Sequence, residues 1–326
     1  MSIKHICISG GAHAGLYGIG ALNHLFKMNY IQYEDIHSLY GTSIGSVLCL
    51  LIALQYQWDD IIYYVSKRPW YKLIHISSVF QLYDKKGILD KDLFYAFFEP
   101  LFKMKDISLH MTMKECFERT KKELYIFATD VSTMEYVEFS HIQHPDLKVI
   151  EAVYMSSSLP MIFKPLWYNN TYYIDGVIHI SDPSSICASR NKDDTENILS
   201  ILFRKNNPIV FTEDMNIMEY TSMIMSNILK LANNQTNTLK SSFRKHVMYI
   251  PYNNISFDEF SSLLYDESLR NLYIKQGRDY AKAYINYQEN QEHLSLEEYI
   301  RCKEDKNNEN NENDEDNGST SLNGAM

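Results

Sequence analysis

The sequence places a serine in the kind of turn that enzymes use to expose a nucleophile. Ser43 lies between Gly41 and Gly45 in a Gly-x-Ser-x-Gly motif, after a predicted strand at 36–40 and before an apolar predicted helix at 44–54. Small residues on both sides allow the strained backbone of a strand-to-helix turn. The helix N-terminus also favours the negative charge that develops in acyl transfer. Ser43 is therefore the candidate nucleophile; the alternative is a serine that only caps a helix.

A glycine-rich loop follows the first predicted strand. Eight of the 12 glycines lie in three short segments, and five of them belong to this loop and the helix after it. The loop does not match a P-loop or a dinucleotide motif, because no Lys-Ser or Lys-Thr follows and Ala12 replaces a required glycine. Its backbone N–H groups could hold an oxyanion if the loop lay beside Ser43. We expect the oxyanion hole and its supporting glycine at Gly10, Gly11, Ala12 and Gly15.

An aspartate stands at the end of a predicted hairpin. The segments 166–168 and 171–174 have strand character and are joined by two asparagines, and Asp175 and Gly176 follow directly. A carboxylate there could deprotonate a serine hydroxyl within hydrogen-bond reach. Asp-Gly is also a common turn, so Asp175 becomes a candidate base only in combination with the other two segments.

The elements that must position these residues alternate as in an α/β fold with a largely parallel sheet. Strands are predicted at 3–8, 36–40, 124–129, 135–140, 166–168, 171–174, 197–203 and 247–250. Helices are predicted at 16–28, 44–54, 59–66, 90–102, 112–120 and 213–231, from Pro145 to a point before Pro160, and twice after the last strand. The helix at 112–120 is expected to begin with a capping box of Thr112 and Glu115.

Four ordered blocks between residues 3 and about 190 resemble the patatin-like phospholipase family. They are the glycine-rich loop at 9–15, the serine motif at 41–45, the stretch AVYMSSSLPMIFKP at 152–165 and the Asp175-Gly176 pair. The spacing also resembles the family, whose aspartate follows the serine by well over a hundred residues.

That resemblance implies a three-layer α/β/α fold with a largely parallel central sheet. It implies a Ser43–Asp175 dyad in which Asp175 accepts the serine proton, with an oxyanion hole near Gly11 and Ala12. The implied activity is hydrolysis of ester-linked fatty acids from phospholipids or other glycerolipids, with no metal and no cofactor. One departure is Ala14, because the family usually has Arg or Lys there.

Two alternatives remain open at this point. An α/β-hydrolase could combine Ser43 and Asp175 with a later histidine, for which the candidates are His179, His246 and His293. Against this, only two predicted strands precede Ser43. The second alternative is a non-catalytic lipid-binding relative, which Ala14 would favour.

Composition limits the possible settings. The 326 residues carry a formal net charge of −10, which disfavours nucleic-acid binding. Five scattered cysteines indicate a reducing compartment, and neither a secretory signal nor a membrane-spanning apolar run is visible. We expect a cytoplasmic protein whose partners are a lipid substrate and, transiently, a membrane surface.

The predicted domain organisation has three parts. A catalytic domain covers 3–190, a C-terminal α/β part at 191–302 packs on the same body, and a disordered acidic tail covers 303–326. The tail has seven acidic residues against two lysines and almost no apolar residues to bury.

Overall fold

The computed structural model describes residues 2–73, 86–206, 245–253 and 257–290, and the single positions 220, 223, 224 and 227. It divides into two compact units, Met1–Lys282 and Ala283–Met326. The predicted tail and His293 lie outside the described residues, and so does the predicted helix at 213–231 apart from the four single positions.

The described strands are β1 (His5–Ile8), β2 (Ser38–Thr42), β3 (Gly87–Leu89), β4 (Glu123–Asp130), β5 (Tyr136–Phe139), β6 (Met161–Phe163), β7 (Leu166–Tyr168), β8 (Thr171–Asp175), β9 (Ile198–Lys205) and β10 (His246–Tyr252). Eight of them form one sheet in the order β10-β9-β1-β2-β4-β8-β7, with β5 also paired to β4. The strands from β10 to β4 are parallel, whereas β5, β7 and β8 are antiparallel to their neighbours. β3 and β6 form a separate parallel pair.

The described helices are α1 (Gly15–Lys27), α2 (Ile44–Ala53), α3 (Trp58–Lys67), α4 (Lys91–Met104), α5 (Met113–Thr120), α6 (Val149–Ser156), α7 (Ser184–Arg190), α8 (Phe257–Tyr265) and α9 (Glu267–Asn290). None of these described helices is long and apolar enough to cross a bilayer.

Helices cover both faces of the sheet. On one face, side chains of adjacent parallel strands, such as Cys7 and Tyr40, pack with Cys187 of α7. On the other face, α2 approaches so closely that a Cβ on Gly41 would lie 2.6 Å from Ser46 Cα. Successive strand residues point to opposite faces, so these contacts define helix, sheet and helix layers. The expected fold class is confirmed.

Most predicted elements occur with ends shifted by a few residues. The capping box forms as expected, because Thr112 Oγ1 accepts the Glu115 N–H at 3.2 Å and Glu115 Oε2 accepts the Thr112 N–H at 2.8 Å. The helix predicted from Pro145 instead begins at Val149. The carbonyls of Pro145 and Leu147 accept hydrogen bonds from the start of α5, and that contact holds 145–148 outside the helix.

β9 and β10 extend the same sheet that contains β1 and β2, so the unit Met1–Lys282 continues beyond position 190. The boundaries 3–190 and 191–302 stay predictions.

Helices α1 and α9 cross with their backbones in contact. A Cβ on Gly20 would lie 1.9 Å from Ile274 O, and a Cβ on Gly277 would lie 1.9 Å from Tyr17 O. Beside this crossing, the rings of Tyr17 and Tyr273 stack with centroids 4.8 Å apart. Because a carbonyl on a helix cannot move without disturbing the helix, only glycine fits at these two positions.

Gly277→Ala is expected to lower the free energy of unfolding by about 2 kcal/mol. In an open helix the same change would add about 1 kcal/mol of stability. Here the clash of the added Cβ with Tyr17 O outweighs that gain, so the net effect is a loss of stability. Urea denaturation, with the exposed change Lys275→Ala on the same helix as control, measures the difference. Equal stability of the two variants would contradict the backbone contact.

Candidate active site

Ser43 forms the turn between β2 and α2, and its backbone conformation is one that residues with a side chain rarely adopt. Its φ is 55° and its ψ is −127°. The Ser46 N–H and Ser46 Oγ both donate to Ser43 O, at 2.8 and 2.6 Å. A Cβ on Gly45 would lie 2.2 Å from Ile8 O, so glycine is required where the turn passes β1. The strand-turn-helix context expected around Ser43 is present.

The sheet brings Asp175 to this turn. β8 runs antiparallel to β4 with Asp175 opposite Ala128, one residue beyond Phe127, which lies opposite Thr42 in β2. Ser43 Oγ donates a hydrogen bond of 2.7 Å to Asp175 Oδ2 across 132 positions of sequence. Ser43 is 7% exposed and Asp175 2% exposed, so the pair lies in a site largely shielded from water.

Burial changes the acidity of Asp175. Removal from water raises the pKa of the Asp175 carboxyl to about 7, although hydrogen bonds from the Val177 N–H and the Ser43 hydroxyl act in the opposite direction. The Val177 N–H reaches Asp175 Oδ1 at 2.9 Å. Gly176 is needed between them, because a Cβ there would lie 2.2 Å from Phe127 O. A carboxyl with this pKa can both accept and release a proton near neutral pH.

The glycine-rich loop lies directly against Ser43. A Cβ on Gly10 would lie 3.4 Å from Ser43 Cβ and 2.1 Å from Val177 Cγ1. The structure corrects one expected donor, because the Gly10 N–H already donates to Ser181 O at 3.0 Å. None of the described residues accepts a hydrogen bond from the N–H of Gly11 or Ala12. These two groups therefore remain the candidate oxyanion donors.

Two further positions of the loop have structural explanations. A Cβ on Gly15 would lie 2.3 Å from Ile44 Cγ1, so this glycine lets α1 begin against α2. Ala14 is 0% exposed, and its N–H donates to Gly11 O at 2.9 Å. The Ala14 side chain is therefore fully covered by the surrounding residues.

The serines near the end of α6 contact both members of the pair. Ser156 Oγ accepts the Ser43 N–H at 2.9 Å and donates to Phe127 O at 2.6 Å. Ser158 O accepts the Asp175 N–H at 2.9 Å. Sequence reasoning placed these serines in a block that resembles the family but gave them no role. The sequence feature that could have indicated a role is the run of three consecutive serines at the end of an otherwise apolar predicted helix.

Two of the three candidate histidines of a triad are engaged elsewhere, and the third, His293, lies outside the described residues. His179 Nδ1 donates to Met134 O at 3.2 Å, and His246 Nδ1 lies 3.3 Å from Tyr30 Oη. His246 begins β10, and the strand registers place it level with Leu39, four residues before Ser43 and three strands away. With rises of about 3.3 Å and strand spacings of about 4.8 Å, the separation is roughly 20 Å.

No group of three or more His, Cys, Asp or Glu side chains among the described residues could hold a metal ion. The candidate site contains one carboxylate, together with serine hydroxyls and backbone N–H groups. This combination suits acyl transfer.

Comparisons of sequence and of structure find known proteins that are similar to this chain. A family model described as "Patatin-like phospholipase" matches residues 6–186. A protein of Invertebrate iridescent virus 6, named a probable lipid hydrolase, is 28% identical over 204 residues, which cover 61% of this chain and 69% of that protein. An uncharacterized protein of Acanthamoeba polyphaga mimivirus is 28% identical over 208 residues, which cover 63% and 67% of the two chains. VipD from Legionella pneumophila shares the fold, with a TM-score of 0.52 and 13% identity over 88% of this chain and 67% of that chain.

Asp175→Asn is expected to stabilise the protein at pH 8. The pKa of Asp175 is about 7 in the folded protein and about 3.9 in an unfolded chain, so folding favours the protonated carboxyl. The stability that this carboxyl contributes therefore falls as the pH rises from about 4 to 7, and the buried charge costs about 4 kcal/mol at pH 8. At pH 5 the cost is smaller by about 2 to 3 kcal/mol.

Urea denaturation of native protein and Asp175→Asn at pH 5 and pH 8 tests this expectation. The exposed change Asp279→Asn on α9 is the control and should show no such pH dependence. An Asp175→Asn variant less stable than the native protein at pH 8 would contradict the raised pKa.

Proposed function

The chain belongs to the patatin-like phospholipase family, and we propose that it is a serine carboxylic-ester hydrolase that cleaves ester-linked fatty acids from phospholipids or other glycerolipids. The observation that carries this proposal is the 2.7 Å hydrogen bond from Ser43 Oγ to the buried Asp175 carboxylate. It occurs in a strand-turn-helix motif beside a loop with two unpartnered N–H groups among the described residues.

In the acylation step, Ser43 Oγ attacks the ester carbonyl carbon while Asp175 accepts the hydroxyl proton. The carbonyl oxygen becomes an oxyanion, which the N–H groups of Gly11 and Ala12 stabilise. The C–O bond to the lipid alcohol then breaks, and Asp175 returns its proton to the leaving oxygen. The acyl group remains on Ser43 as an ester.

In the second step, water attacks the acyl-Ser43 ester and gives a proton to Asp175. The intermediate collapses, Ser43 recovers the proton, and the fatty acid leaves. A base with a pKa of about 7 suits both directions of transfer, because a general acid-base works best near the ambient pH. All of these steps use groups of this chain and one water molecule.

The Ser-His-Asp alternative has less support than the dyad. Asp175 already occupies the position next to the Ser43 hydroxyl that a triad histidine would need. His246 has its pKa lowered to about 4 by burial, and it lies three strands away from Ser43, at the start of the edge strand β10. The non-catalytic alternative rested on Ala14, but Ser43 and Asp175 keep their mutual hydrogen bond with alanine at position 14.

We also propose transient contact with a membrane surface as a peripheral protein. The β7–β8 hairpin and the turn after β4 lie at the carboxyl edge of the parallel strands, where β2 delivers Ser43. This edge carries four exposed apolar side chains, which are Val131, Met134, Tyr136 and Trp167. Trp and Tyr favour the interface between water and lipid because they combine an apolar ring with a polar group.

The four cysteines that the structure describes are buried and unpaired. Their free thiols support the expected reducing compartment, such as the cytoplasm.

Ser43→Ala and Asp175→Asn are each expected to lose at least about a thousandfold in the rate of ester hydrolysis, because each removes a group that forms or breaks a bond. Fatty-acid release from a panel of defined phospholipids and neutral glycerolipids measures this rate. A fluorophosphonate probe should label native protein but not Ser43→Ala.

The matched controls are Ser189→Ala on the exposed end of α7 and the single changes His179→Ala and His246→Ala. All three should retain labelling and hydrolysis. Equal labelling of Ser43→Ala and native protein would defeat the proposal, and loss of hydrolysis in a histidine variant would favour a triad.

Tryptophan fluorescence can report the membrane contact. Trp167 is 57% exposed, whereas Trp58 and Trp70 are buried, so a blue shift on addition of phosphatidylcholine vesicles would report Trp167. Trp167→Ser should weaken vesicle binding roughly tenfold, since burial of a large apolar ring contributes about 1.5 to 3 kcal/mol. Hydrolysis of a soluble short-chain ester should stay unchanged. The exposed-aromatic control is Tyr63→Ser on α3, and an equal effect of that change would contradict the assignment.

A further inference from the structure

The three serines at 156–158 lie where α6 ends and the chain turns towards β6. Ser156 and Ser158 are both 0% exposed, which is uncommon for hydroxyl side chains unless they are hydrogen-bonded. The proposed reaction uses neither side chain. Their burial beside the site indicates another role.

The Ser156 hydroxyl has a fixed orientation. A hydroxyl has one proton, and that of Ser156 is donated to Phe127 O at 2.6 Å. Its oxygen is therefore free to accept, and it accepts the N–H of Ser43 at 2.9 Å. Phe127 belongs to β4, next to β2, which ends just before Ser43, so the hydroxyl links the serine turn to the central sheet.

This bond acts on the strained residue itself. The φ of 55° and ψ of −127° at Ser43 are unfavourable for a residue with a Cβ and persist only where surrounding contacts hold them. Because the direction of the Ser43 Cα–Cβ bond depends on that backbone conformation, the contact to Ser43 N–H also sets where Ser43 Oγ lies relative to Asp175.

The same turn holds the backbone of the base. Ser158 O accepts the Asp175 N–H at 2.9 Å. The turn is itself anchored to α6 by its main chain, since the Ser157 N–H donates to Val153 O at 3.1 Å and the Ser158 N–H donates to Met155 O at 3.3 Å. The Ser158 hydroxyl donates to Tyr154 O at 2.7 Å and bonds to neither Ser43 nor Asp175. One short segment therefore contacts the main chain of both Ser43 and Asp175.

We propose that Ser156 is a positioning residue that holds Ser43 in its reactive conformation, as part of a 156–158 turn that sets the distance between nucleophile and base. This inference rests on the proposed hydrolase function. Ser156 contacts neither the substrate nor the reacting atoms, and it acts through the backbone of Ser43.

Two variants of the same turn separate positioning from simple packing. Ser156→Ala and Ser158→Ala remove the same hydroxyl at equal burial, but only Ser156 contacts Ser43. We expect Ser156→Ala to lower kcat roughly 10- to 100-fold with KM within about twofold, because a displacement of about 1 Å at a reacting atom can cost that much. Ser158→Ala should keep kcat within about threefold. Equal losses in the two variants would overturn the proposal.

The pH profile gives a readout that loss of stability alone would not move. The Ser43 hydroxyl lowers the pKa of Asp175, which burial raises to about 7. If Ser43 Oγ moves away in Ser156→Ala, the pKa of Asp175 rises further, and the limb where kcat increases with pH shifts to higher pH. Ser158→Ala should leave this limb in place. An unshifted limb in Ser156→Ala would count against displacement of Ser43.

Amide hydrogen exchange tests the same contact without any activity. Followed by NMR, the Ser43 N–H should exchange at least about tenfold faster in Ser156→Ala than in native protein or Ser158→Ala, because it loses its buried acceptor. Unchanged exchange would overturn the inference even if the enzyme hydrolyses lipids. Faster exchange in a protein that fails to react with fluorophosphonate would instead defeat the proposed function and leave the positioning contact intact.

Discussion

The buried Asp175 carboxyl is the group on which the candidate site depends. Water reaches it very little, and among the residues that the structure describes two hydrogen bonds, from the Ser43 hydroxyl and the Val177 N–H, stabilise its charge. Burial is the larger effect and raises the pKa to about 7. A more exposed carboxylate would be a weaker base, and a more isolated one would stay protonated. The balance leaves a group that can exchange a proton with Ser43 near neutral pH.

Close backbone approach makes that balance possible. Gly10, Gly45 and Gly176 lie where a Cβ would meet Val177, Ile8 and Phe127 at 2.1 to 2.2 Å. At each of these points two elements around the site come nearer than side chains allow, and water is excluded as a result.

The antiparallel strand β8 in a mostly parallel sheet brings Asp175 close to Ser43. The parallel strand β2 ends at the carboxyl edge of the sheet, where Ser43 and α2 follow. β8 runs in the opposite direction and starts beyond this edge, so its last residue, Asp175, lies level with the start of α2. The hairpin that precedes Asp175 consequently extends past this edge, and its exposed Trp167 lies on the same side of the sheet edge as the buried Ser43–Asp175 pair.

The sequence by itself determined the local features. The glycine spacing around Ser43, the capping box at Thr112 and the paired asparagines of the hairpin each depend on neighbours within a few residues, so their types predicted the turn, the helix start and the β-turn. The family resemblance of residues 3 to 190 gave the fold class, and the match over 6–186 agrees with it.

Only the tertiary structure decided which groups meet. Asp175 is one of many aspartates until β4 and β8 pair, and its pKa depends on burial that no local pattern encodes. The Gly10 N–H was expected to be an oxyanion donor, yet it donates a hydrogen bond to the carbonyl oxygen of Ser181, far along the chain. Ser156 looked like a polar residue in an apolar helix, and its contact with the Ser43 N–H exists because α6 packs across β4. These properties depend on distances between segments that are separated by tens of residues to well over a hundred, and folding alone fixes such distances.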